Sequence, residues 1–251
     1  MRSYLRYALL GLGAYIVFMC AQAPAATLAT LLRHYLPFQY QQIAGSLLRG
    51  QARNVALRGA EIESLTWRWT PLALLKGRVE YHITLAESQL RLEGLFGIGL
   101  DRELRILDVN GFVSLRQAIS LALQAQLPLN GKVEVDLDEI RVGSDGLPRA
   151  VYGNVQLLNA RTTLGRTFEL GDFRTELTTD EQSIVGTIRD IGGPLILNGT
   201  LTLTPDGRYR FTAQTALRDV NNRELREALD LLGRPSQDGK WKIDIKGVLH
   251  V

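Results

Sequence analysis

Asp136, Asp138 and Glu139 form the densest acidic group in the sequence, and carboxylates this close are the raw material of a calcium site or an acid/base pair. Their setting points to something plainer. Val133, Val135 and Leu137 alternate with Glu134, Asp136 and Asp138, which places the acids on the solvated face of a strand. His34, His82 and His250 stand far apart, and none has a histidine or cysteine partner at metal-ligand spacing. Cys20 is the sole cysteine, so a disulfide framework and a cysteine-based metal cage are excluded. No nucleophile elbow, Walker-type loop or dinucleotide loop occurs, and Gly94, Gly97 and Gly99 mark a bend. Asn198-Gly199-Thr200 has the form of a glycosylation sequon inside a strand pattern. An exported hydrolase built on Asp136 or Asp190 would need convergent polar groups that the sequence does not indicate. No catalytic, metal or cofactor-binding residue is therefore assigned, and neither a cofactor nor a small-molecule substrate is expected.

The remaining residues of note are aromatic. Leu65, Trp67 and Trp69 share one strand face, Pro71 ends the ladder, and Gly77 permits a turn back. This face reads as a tryptophan-rich core edge, with a membrane-surface or partner contact through Trp67 and Trp69 as the alternative.

The elements that must hold these residues are mainly strands. Leu195, Leu197, Leu201 and Leu203 take one face of a run whose other face is Asn198, Thr200, Thr202 and Thr204. Beyond Pro205-Asp206-Gly207 the alternation resumes with Tyr209, Phe211, Ala213 and Leu217, a hairpin signal. Ser144-Asp145-Gly146 and Gln237-Asp238-Gly239 mark further turns, the latter leading into Trp241, Ile243 and Ile245. Glycines at 131, 153, 186, 199 and 247 suggest many short strands, each with a glycine near its start. The spacing predicts two helices: one from near Ser114 through Leu115, Ala118, Ile119 and Ala122, and one capped by Asn221 with Leu225, Ala228, Leu229 and Leu232. The fold class expected is mainly β, a long curved antiparallel sheet or open flattened barrel with one or two packed helices.

The N-terminus sets the compartment. Arg2 and Arg6 precede an apolar run from Tyr7 to Ala21, and the stretch from about Tyr4 to Ala26 is long enough for a ~30 Å bilayer core. Ala21-Gln22-Ala23 also fits a cleavable signal, but length and Pro24 favour a retained anchor. The positive flank stays cytoplasmic, so residues 1–32 form a tail plus a transmembrane signal-anchor and residues 33–251 an exported β-rich domain. That domain has 27 basic and 26 acidic side chains, interspersed, which sets nucleic acid aside as a partner.

Read in succession, the motifs resemble one family. Ala44-Gly45-Ser46-Leu47-Leu48-Arg49-Gly50 is followed by Leu65, Trp67, Trp69, Pro71, Gly77 and Arg78. Further on come Gly192-Gly193-Pro194-Leu195, Gly199-Thr200-Leu201, Asp206-Gly207-Arg208-Tyr209, Leu232-Gly233 and Asp238-Gly239. This order is similar to that of type II secretion system protein N, the general secretion pathway N component. The resemblance implies a single-pass inner-membrane protein with its bulk in the periplasm. It also implies an accessory, non-catalytic role in assembling the machine that exports folded proteins. The implied partners are other secretion components and the inner-membrane bilayer. The alternative is an AsmA-like membrane-anchored β-groove protein of lipid transfer or envelope maintenance, since an apolar concave sheet face would shield acyl chains.

Overall fold

Strands with one apolar and one polar face, joined by short turns, assemble most simply as an antiparallel meander in which each face stays continuous. The structure, a computed structural model, describes residues 41–57, 60–123, 128–164, 166–181, 183–230 and 233–249, with Tyr7, Gly11, Tyr15, Pro24, Ala25, Phe38 and Gln39. Fourteen strands among these residues make one sheet. They are β1 (Phe38–Gln39), β2 (Gln42–Gly45), β3 (Arg49–Leu57), β4 (Ala60–Trp69), β5 (Arg78–Glu87), β6 (Leu90–Gly99) and β7 (Leu104–Ser114). After helix α1 (Leu115–Leu123) come β8 (Leu129–Val142), β9 (Pro148–Leu164), β10 (Arg166–Asp180), β11 (Ser183–Gly192), β12 (Leu195–Leu203) and β13 (Arg208–Leu217). Helix α2 (Arg223–Asp230) and β14 (Trp241–Val248) complete the chain. β1 and β2 lie along the same edge of β3, and β3 to β14 then succeed one another without a crossover. The result is the long open antiparallel sheet with two helices that the patterning predicts.

Of the expected anchor only Tyr7, Gly11, Tyr15, Pro24 and Ala25 are described; among the described residues, no helix is long and apolar enough to cross a membrane.

All three Asp-Gly turns have one geometry. The N–H of Gly146, Gly207 and Gly239 donates to the carbonyl of Gly143, Thr204 and Ser236, whose own N–H groups donate to Leu147, Arg208 and Lys240. The glycines sit at φ of 79°, 81° and 72°, where a Cβ would be strained, so each is a three-residue turn closed by a left-handed glycine. Strand length departs from the expectation. β9 runs for 17 residues, and Gly153 lies in its interior at φ 130°, where a Cβ would collide with the Asp136 carbonyl oxygen and come within 2.6 Å of Leu137 Cα. Glycine here bends a long strand where two backbones approach, instead of starting a short one.

Hairpin connectivity sorts the strand ends into two rows. One row holds the connections at 46–48, 70–77, 100–103, 143–147 and 204–207; the other holds 88–89, α1, 193–194 and α2. Each end of the sheet has its own buried cluster. Ala52, Val55 and Ile62 are packed by Ile43, Leu65, Trp67 and Leu85. Leu195, Leu217 and Trp241 receive Leu225 and Leu229 of α2, with Phe168, Leu170 and Phe173 closing in from β10. Burying each such side chain is worth about 1.5–3 kcal/mol. The cap of α2 is Asn222, whose Oδ1 accepts the N–H of Leu225 at 3.1 Å, one residue later than the spacing suggests. Ser114 caps α1 by accepting the N–H of Gln117 at 3.3 Å.

The C-terminal strands curl. Arg149 Nη1 donates to the Pro205 carbonyl at 3.0 Å, and a Cβ at Gly207 would lie 3.3 Å from Leu147 Cδ2, so the β8–β9 turn touches the β12–β13 turn. In the other row, Arg166 pairs with Glu224 at 3.3 Å and ties β10 to α2.

Candidate functional site

Trp67 sits where β3, β4 and β5 meet, in register with Gly50 on one side and Ile83 on the other. Its ring needs that glycine: a Cβ at Gly50 would collide with the indole. The indole Nε1 donates to the Ser46 carbonyl at 3.1 Å, and the Trp69 N–H donates to the Leu48 carbonyl at 2.7 Å. Both tryptophans are half-buried. They clamp the β2–β3 turn to the end of β4 and so fix the direction in which the chain leaves that strand.

It leaves as a 3-10 helix, Pro71–Lys76, with proline in its first turn and Gly77 closing it at φ 68°. Only Ala73 of this segment is buried. Leu72, Leu74 and Leu75 point outward, Val79 and Ile98 face solvent as cross-strand partners, and Leu100 hangs in the next turn. Leu100 leans over Gly77, whose hypothetical Cβ would be 3.5 Å from Leu100 Cδ1. The row of strand ends therefore carries a contiguous apolar patch.

Beside it lies a basic row invisible in the one-dimensional sequence. Arg49 is opposite Arg68, and Arg68 is opposite His82. All three are exposed and line an open hollow of about 510 Å³ with Gly45, Gly50 and Trp67. Like charges opposite one another weaken a ladder. No ion-pair partner for Arg49, Arg68, Lys76 or Arg102 occurs among the described residues, whereas Asp101 and Glu103 share Arg105, at 2.7 Å and 3.7 Å. The Glu103 N–H, and after it Arg105, holds the Asp101 carboxyl below its ordinary range. The basic residues alternate with acids along the chain, and only the hairpin register brings Arg49, Arg68 and His82 together.

The acidic candidates remain dispersed. Asp136 and Asp138 are exposed on β8, Glu134 pairs with Lys132 at 2.7 Å, and Glu139 pairs with Arg141 at 3.5 Å. Among the described residues no three His, Cys, Asp or Glu side chains are grouped to hold a metal. Asp190 has a structural task, accepting the Leu197 N–H at 3.0 Å and Arg218 Nη2 at 2.5 Å. Gly94 lies at a register shift in β6, between Glu93 and Leu95, whereas Gly97 and Gly99 pair in regular register with Glu80 and Arg78, so only the first of the three glycines marks an irregularity. His82 is on the basic row; His34 and His250 lie outside the described residues.

The family model described as type II secretion system (T2SS), protein N, matches residues 37–244, from β1 into β14. Two relatives named type II secretion system protein N are similar to the chain along most of its length. The Klebsiella pneumoniae protein is 27% identical, with 96% of each chain covered. The Vibrio cholerae serotype O1 protein is 26% identical, with 82% of this chain and 83% of the relative covered. No solved structure matches the chain.

Proposed function

The chain belongs to the type II secretion system protein N family, and from that premise we propose that it is an accessory component that helps assemble or stabilise the secretion machinery without catalysing a reaction. The single observation behind this reading is the family match from 37 to 244, which takes in nearly the whole sheet. The polar residues support the non-catalytic part, because Asp190, Glu134 and Glu139 are each engaged in local structural pairs. In this reading the stretch from about Tyr4 to Ala26 holds the protein in the inner membrane as a single pass, with Arg2 and Arg6 cytoplasmic and residues 33–251 periplasmic. Its partners are other type II secretion components. Trp67 and Trp69, half-buried on β4, are the partner surface in this reading.

The test is crosslinking of the full-length protein in inner membrane, detergent extraction, and mass spectrometry of captured proteins and lipid. Other secretion components without stoichiometric lipid are the expected result. Stoichiometric lipid without those components would overturn the reading and favour the lipid-groove alternative.

A further inference from the structure

We propose that the row of strand ends bearing Leu72, Leu75 and Leu100 docks into the periplasm-facing leaflet of the membrane that anchors the chain. Arg49, Arg68, Lys76 and Arg102 then rest on the anionic headgroups. This rests on the single-pass reading above. Leucines at 72%, 85% and 92% exposure are not what a free surface keeps in one place, and contiguous apolar patches of this kind mark contact with a protein or a membrane.

Position selects the membrane. Pro24 is bridged to Ser46, and Ala25 beside it is buried. Ser46 also accepts the Trp67 indole N–H, and the strand carrying Trp67 runs directly into Pro71. The chain thus leaves its apolar run at Ala21 and joins the sheet at Pro24, at the same row of ends that carries the leucines. Three residues reach at most about 10 Å. One headgroup layer is of similar depth, roughly 5–8 Å from the difference between whole-bilayer and hydrocarbon thickness. A sheet tethered so closely at this end brings Leu72, Leu75 and Leu100 to the interface.

Charge agrees with position. Arg49 and Arg68 oppose each other without an acid between them, and Lys76 comes directly after the exposed leucines. The nearby Asp101 and Glu103 share Arg105, which leaves one negative charge against the four cations Arg49, Arg68, Lys76 and Arg102, so the rim stays positive. Basic side chains flanking inserted apolar ones are the composition that binds anionic bilayers at their surface. The phosphates also supply the counter-charge that the Arg49–Arg68 pair lacks within the described residues.

The experiment uses the full chain in a Cys20→Ser background, reconstituted into phosphatidylcholine/phosphatidylglycerol vesicles. Single cysteines replace Leu10, Leu75 or Val220 and carry an environment-sensitive fluorophore. Leu75 and Val220 are both exposed, and Val220 belongs to the opposite row of ends. Shallow nitroxide lipids are expected to quench the label at 75 at least twofold more than the label at 220. Arg49→Glu with Arg68→Glu should lower quenching at 75 at least twofold, leaving the label at 10 unchanged. A label at 75 that stays aqueous while the label at 10 is quenched would overturn the docking and leave the anchor standing. If neither label is quenched, the single-pass reading fails and the docking falls with it.

Discussion

Trp67 and Gly50 form a matched pair: the indole fills the space a side chain at Gly50 would occupy, and its N–H is satisfied by Ser46. Trp67→Phe keeps most of the ring but loses that hydrogen bond and should cost about 1 kcal/mol. Trp67→Ala should cost about 3 kcal/mol, at the lower end for an aromatic truncation because the ring is only half-buried. Gly50→Ala should destabilise the wild type more than the Trp67→Ala protein, since one of its collisions disappears with the ring; the Ala44 carbonyl, 2.7 Å from the added Cβ, keeps the remaining cost above zero. Urea denaturation of the four proteins closes the cycle, and strict additivity would mean that the ring and the glycine do not communicate. At this scale, turn chemistry was legible in the sequence. The left-handed glycines at 146, 207 and 239 are expected from Asp-Gly between alternating runs. The basic row was not, because Arg49, Arg68 and His82 are separated by hairpins and meet only once strand register is known.

Helix α2 illustrates the limit at the scale of an element. Its apolar stripe at Leu225 and Leu229 was readable, and both residues are buried against Leu195, Leu217 and Trp241. The cap falls on Asn222 because its side chain, and not that of Asn221, reaches the N–H of Leu225. Asn222→Ala should therefore cost about 1 kcal/mol and Asn221→Ala a few tenths at most, as read by thermal melts. Equal effects would move the cap back to Asn221. The lengths of β8, β9 and β10 were not legible, because glycines at 131, 153 and 171 break the alternation while the ladder continues through a bulge. The edge strand β14 is held in part by Arg210, which meets Asp244 at 3.1 and 2.8 Å. That hydrogen bond, helped by the arginine and Lys246 charges, lowers the Asp244 carboxyl below its ordinary 3.8. A depressed acid contributes stability above its unfolded value, and loses it as pH falls through the lower folded value. Hydrogen-exchange protection of Trp241–Val248 should accordingly fall on acidification below about 3.8, and Asp244→Asn should flatten that dependence. An unchanged acid profile in the variant would assign the loosening to another carboxylate.

At the scale of the whole molecule, the sequence order of the strands is also their lateral order, so most contacts join neighbours and few link distant parts of the sheet. Among the exceptions, Gln117 of α1 donates to Glu87 of β5 at 3.0 Å, and in the C-terminal part Arg149 reaches Pro205 and Arg166 reaches Glu224. The meander itself was legible from successive hairpin signals; this curl was not, since nothing in a local pattern says how tightly a sheet rolls. One buried cluster lies in β3–β4 and the other joins β12–β14 to α2, with β6 to β9 between them. A sheet built this way behaves as a one-dimensional array in which damage is felt most by adjacent units. Ile62→Ala should remove about 2–4 kcal/mol from the first cluster. Tryptophan placement permits the comparison, because Trp67 reports on that cluster and Trp241 on the other. In urea, the midpoint seen by a protein retaining only Trp67 should shift markedly on Ile62→Ala. The midpoint seen by a protein retaining only Trp241 should stay nearly fixed. Identical shifts at both probes would show that the intervening strands transmit the loss in full, making the sheet one cooperative unit despite its divided core.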